Sequence, residues 1–125
     1  MADAAIDPLL VDPTRLSIVS LLSSSRWVEF GFVRDTVALS DSALSKQISK
    51  LSDHGYVEVE RGYVGKRPRT WISLSEAGRA ALLDHVAALQ AIVDRSQQAG
   101  ESRDEGRSPP RAPGPPRPAG RPAPA

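Results

Sequence analysis

Two residues, Leu39 and Ser40, are all that separate two stretches of helical periodicity in this 125-residue chain. Phe30, Val33 and Val37 recur three and four apart within Phe30 to Ala38, and Leu44, Ile48 and Leu51 recur four and three apart after Ser40. So short a connection forces a sharp turn between neighbouring helices. Ser40 stands where it can cap the second of them, and Gly55 where a helix end favours left-handed backbone. The period then changes at once from about 3.6 to 2 residues. Tyr56-Val57-Glu58-Val59-Glu60 and Thr70-Trp71-Ile72-Ser73-Leu74 alternate and are rich in β-branched and aromatic side chains, which predicts two strands. Between them Arg61 to Arg69 hold two glycines and a proline, so the pair is expected to be a hairpin with a long tip.

The flanking segments complete the pattern. Asp12-Pro13 supplies an N-cap and a proline at the first helical position, and Leu16, Val19 and Leu22 continue at helical spacing until Ser23-Ser24-Ser25. Arg26 to Glu29 read as a short extended link. After the hairpin, Ser75 caps a last helix running to about Asp94, with Leu82, Val86, Leu89 and Val93 alternating four and three apart. The expected fold is mainly α with a β-hairpin wing: a winged helix-turn-helix plus a long C-terminal helix, over residues 1–95. From Ser96 to Ala125 there are eight of the eleven prolines and four of the nine glycines, and no Val, Ile, Leu, Met or aromatic residue. Such a composition cannot bury a core and is expected to be a disordered Pro/Arg/Gly-rich tail.

Several chemistries are excluded by what the chain lacks. With no cysteine there are no disulfides, thiolate metal sites or cysteine nucleophile. No Gly-x-Ser-x-Gly elbow occurs, and Gly65-Lys66 is not a phosphate-binding loop, because Arg67 stands where Ser or Thr is needed. Asp53-His54 and Asp84-His85 are adjacent on helices, so their side chains diverge by about 100°. Both histidines are expected at the surface, with no metal site, no cofactor and no enzymatic activity. The apolar runs are too short to span a membrane, and MADAAIDPLL lacks the basic-then-apolar order of a secretory leader; a cytoplasmic protein is expected.

The formal charge is +1 overall, so any polyanion must be met by a local patch. On the helix after Ser40, Leu44, Ile48 and Leu51 define the buried side, leaving Ser42, Lys46, Ser49, Lys50 and Asp53 outward. Ser and Lys side chains can approach base edges and phosphates, and Ser40 to Ala43 form the N-terminal turn that points into a groove. Arg61, Lys66, Arg67 and Arg69 place four cations and no acid in the hairpin connection. The expected DNA-binding set is therefore Ser42, Ala43, Ser45, Lys46, Ser49 and Lys50 on the helix, with Arg61, Lys66, Arg67 and Arg69 on the hairpin. Binding to double-stranded DNA is expected, with the third helix in the major groove and the hairpin on the backbone or minor groove. The alternative is a winged helix that docks a protein, which the basic tip disfavours. The last helix has a wider apolar surface than one small domain needs, so Leu82, Val86, Leu89 and Val93 are expected at a homodimer interface. Leu9, Leu10 and Val11 are placed in the same cluster.

The run LSDSALSKQISKLSDHGYVEVERGYVGKRPRTWISLSEAGRAAL resembles the winged-helix domains of MarR-like transcriptional regulators, in particular small stand-alone members. Its most telling pieces are Leu44-Ser45 with Ile48 and Leu51, the Gly55-Tyr56-Val57 exit, the Arg67-Pro68-Arg69-Thr70 wing, and Leu74-Ser75-Glu76-Ala77-Gly78. The resemblance covers roughly residues 6–95 and implies a homodimeric transcription factor that uses Ser42 to Lys50 and the Lys66 to Arg69 wing on DNA. Gln47 departs from the pattern, since many members carry His after the Lys of that helix.

Overall fold

The computed structural model describes residues 5–104. By contact the chain divides into two units, residues 1–92 and 93–125. Asp12 caps α1 (Pro13–Leu22), its side chain accepting the Arg15 N–H at 3.0 Å, and Pro13 opens the helix where no N–H is needed. Helix α2 (Phe30–Val37) ends at Ala38, whose φ of 57° is left-handed although the residue is not glycine. That residue turns the chain so that Leu39 N–H closes on the Arg34 carbonyl, and Ser40 then caps α3 (Asp41–Asp53) through the Ala43 N–H. Gly55, at φ 75°, releases the chain into the sheet.

The sheet has three antiparallel strands in the order β1-β3-β2: β1 (Val28–Glu29), β2 (Val57–Val64) and β3 (Arg67–Leu74). The short link expected at Arg26 to Glu29 is thus a third strand, Val28 and Glu29 lying opposite Ile72 and Trp71. The hairpin also differs from expectation, because its strands run on until only Gly65 and Lys66 remain between the paired Val64 and Arg67. Gly65 has φ 64° and Lys66 does not share the positive sign, the pattern of a type II′ turn. Two residues that suggested a loop are accommodated in the ladder. Gly62 lies under Trp71, whose ring atom Cζ3 would stand 3.2 Å from any Cβ there. Pro68 sits beyond the reach of β1, so the N–H it lacks is on an open edge.

Helix α4 (Glu76–Asp104) begins at Ser75, which accepts the Gly78 N–H at 3.0 Å, and runs ten residues past the expected end at Asp94. Residues 96–104, read from composition as part of a coil, are helical and have no buried position where burial is described. The rest of the expected disordered tail lies outside the described residues. The core of the first unit joins Leu10, Ile18, Val19 and Leu22 to Val33, Leu44, Leu51 and Ile72, all with no exposed surface. Leu9 is buried with them, whereas Val11 is exposed and does not join the cluster. No helix among the described residues is long and apolar enough to cross a membrane.

Candidate nucleic-acid interface

Helix α3 presents Leu44, Ile48 and Leu51 to the core and leaves Ser42, Ser45, Lys46, Ser49 and Lys50 exposed, as its spacing requires; Ala43 is half-buried. Its first turn is held by two devices. The Ser40 hydroxyl caps it and lies 3.3 Å from that of Ser42. Arg34, reaching across from α2, donates from Nη1 to Asp41 at 2.8 Å and from Nε to Asp35 at 2.9 Å. Bonded to both carboxylates, Asp35 more strongly, the guanidinium is held still more firmly in its charged form. The acid nearest the start of α3 is thereby matched by a cation, which lessens its repulsion of an approaching phosphate.

Gln47, next to Lys46, is half-buried and accepts from Arg15 Nη1 of α1 at 3.2 Å. The same Arg15 donates from Nε to the Leu9 carbonyl at 2.6 Å, so Gln47 ties α3 to α1 instead of projecting outward.

The pleat separates the hairpin cations that the sequence set side by side. Residues directly opposite in an antiparallel pair share a face, and neighbours along a strand alternate. Arg61 and Thr70 are opposite each other, on the face that also carries Val59 and Ile72. Gly62 and Arg69, and Val64 and Arg67, belong to the other face. Arg69 is spent locally, its Nη1 lying 3.3 Å from Glu29 of β1. Arg61, by contrast, lines an open cleft of about 450 Å³ together with Thr70, Val59, Ser45, Ser49 and Asp53. The structure thus brings Arg61 together with the outer face of α3, places Lys66 at the turn, and turns Arg67 and Arg69 away from that cleft. Sequence reasoning missed Arg34, Arg15 and the separation of the hairpin cations; only strand register, which the two-residue turn sets, could have revealed the last.

On α4, Leu82 is buried in the core and is not available to a partner, a correction to the expected interface. Val86, Leu89 and Val93 are 50%, 40% and 47% exposed, and Leu83 and Ile92 are exposed beside them. His85 also departs from expectation: it is buried, where a surface residue was expected, and its Nδ1 accepts the Asp7 backbone N–H at 3.0 Å. His54 is exposed and bonds through Nδ1 to the Lys50 carbonyl. Among the described residues no three His, Cys, Asp or Glu side chains gather where they could hold a metal ion.

Comparison with known proteins gives a consistent picture. Residues 14–93 match the family model described as the winged helix DNA-binding domain. An uncharacterized protein of Methanocaldococcus jannaschii is 28% identical over 72 residues, 58% of this chain and 78% of the relative. A transcriptional regulator homologue from Pyrococcus horikoshii superposes with a TM-score of 0.64 at 26% identity, over 69% of this chain and 85% of that one. A zinc-responsive MarR family member of Lactococcus lactis shares the fold at a TM-score of 0.50 and 20% identity, over 71% of this chain and 60% of its own.

Proposed function

The chain belongs to the winged helix DNA-binding domain family, and from that premise we propose that it is a sequence-specific regulator of transcription that binds double-stranded DNA as a homodimer. The reading has α3 in the major groove, where Ser42, Ser45, Lys46, Ser49 and Lys50 meet base edges and phosphates, with Ala43 allowing close approach. Arg61 and Lys66 contact the backbone or the neighbouring minor groove, and Arg67 adds charge from the opposite face of the hairpin. The similarity to a transcriptional regulator homologue supports the regulatory role. No chemistry is assigned to the chain.

The observation that carries this reading is the cleft in which Arg61 of β2 faces Ser45 and Ser49 of α3. It puts a cation beside the outer face of a capped helix, on one continuous surface. Pairing of two chains through Val86, Leu89 and Val93 would bury apolar side chains that a single copy leaves in water. A two-fold dimer sets its α3 helices in successive major grooves, which requires half-sites about 10 base pairs apart or a multiple of that spacing.

Selection of bound sequences from a random duplex library tests the proposal. Enrichment of a two-fold motif with that spacing is expected. Recovery of unenriched sequence would remove the claim of specificity and shift weight to a protein partner for the hairpin.

A further inference from the structure

At the end of the wing, Tyr63 of β2 lies directly opposite Pro68 of β3, on the same face as Arg61 and Thr70. Tyr63 is 73% exposed, Pro68 is exposed, and the tyrosine makes no hydrogen bond or ion pair with any described residue. Its surroundings are selective in charge. The Tyr63 face of the hairpin carries no acid from Val57 to Leu74, since Glu58 and Glu60 both point the other way. Lys66 follows at the turn and Arg61 precedes by one pleat. The surface is continuous with the α3 cleft, where Asp53 is the acidic lining residue.

Resting on the DNA reading above, we infer that Tyr63, backed by Pro68, is a DNA-contact residue whose ring packs on the sugars of the minor groove beside the half-site read by α3. A flat, exposed aromatic flanked by cations suits a groove whose floor and walls are apolar sugar and base edges and whose rims are anionic. A protein-docking surface would not need every acid removed from that face. The contact differs in kind from those of Arg61 and Lys66: it releases no counterion, so its loss lowers affinity equally at every salt concentration.

The test is a salt series, from about 50 to 200 mM, on random-sequence duplexes of about 30 base pairs, with wild type, Tyr63→Ala, Tyr63→Phe and Lys66→Ala. Tyr63→Ala is expected to weaken binding about tenfold at each salt concentration, with a slope parallel to wild type. Tyr63→Phe is expected to stay within about twofold, because the ring and not the hydroxyl makes the contact. Lys66→Ala should flatten the slope by about 0.9. Wild-type binding with Tyr63→Ala unchanged overturns this inference alone, as does an equal loss in Tyr63→Phe. Failure of the wild type to bind any duplex overturns the DNA reading itself.

Discussion

The ring of His85, midway along the first half of α4, accepts at Nδ1 the backbone N–H of Asp7, 78 positions away in sequence. Asp7 in turn takes the Leu9 N–H on Oδ1 at 2.9 Å and the Tyr56 hydroxyl on Oδ2 at 2.5 Å. One aspartate thereby joins the N-terminal segment to the helix of the proposed dimer interface and to the entry of the wing. From the same segment Arg15 carries the connection on to Gln47 of α3.

Replacing His85 by Phe keeps an aromatic ring in the buried site but leaves the Asp7 N–H without its acceptor. We predict a loss of about 1–3 kcal/mol in denaturant unfolding, the cost of a buried unpaired donor. An unchanged midpoint would show that water replaces the imidazole without penalty.

Tyr56 is pushed from its ordinary 10.0 up to about 12, first by the bond to Asp7, then by burial and by the negative charge of that carboxylate. Because the folded value is raised, the stability it contributes is fully present below about 10 and is lost as pH rises through about 12. Tyr56→Phe should therefore be less stable than wild type at neutral pH, by about 1 kcal/mol, with the difference closing across that window. Unfolding midpoints of the two proteins from pH 7 upward measure it.

Much of this framework was legible in the sequence and some was not, for physical reasons. Helix α3 was readable because Ser40, Gly55 and the Leu44, Ile48, Leu51 spacing are local signals that agree. The hairpin strands were underestimated because Gly62 and Pro68 are loop signals locally, and only their tertiary setting, Trp71 above one and an open edge beside the other, makes them strand residues. The outward helix positions came from periodicity, but the hairpin cations did not sort correctly, since a face assignment needs the register. His85 was read as a surface residue because its partner lies at the other end of the chain, and no spacing rule connects Asp7 to it.

Gly78 is the point where α4 starts against the sheet. A Cβ there would overlap the Tyr56 carbonyl oxygen and come within 2.7 Å of Leu74 Cδ1. The Tyr56 carbonyl already accepts the Ser75 N–H at 2.9 Å, so the backbone cannot yield without losing that bond. Gly78→Ala is predicted to cost about 1–3 kcal/mol despite its better helix propensity, as overpacking does. Thermal melting distinguishes this from the small gain expected of alanine in an unobstructed helix.

Leu89 is 40% exposed on α4 and central to the proposed dimer contact. Leu89→Glu should place a charge in that interface and yield monomers while leaving the melting of the isolated fold nearly unchanged. Sedimentation of both proteins at tens of micromolar decides it, and a monomeric wild type would mean that the α4 surface serves another purpose.

The claim that this is a groove-reading DNA-binding protein is tested most directly by measuring duplex affinity across a salt series for wild type, Lys46→Ala and Arg61→Ala, using a duplex recovered by selection and base-substituted versions of it. With three or four phosphate contacts per subunit, the wild-type slope should be roughly −5 to −7 in logarithmic units. Lys46→Ala should change which bases are preferred, at about 1–3 kcal/mol if the contact is bidentate. Arg61→Ala should instead weaken all duplexes alike and make the slope shallower by about 0.9 per lost contact. Binding that is indifferent to salt, or no binding of any duplex at low salt, would contradict the account.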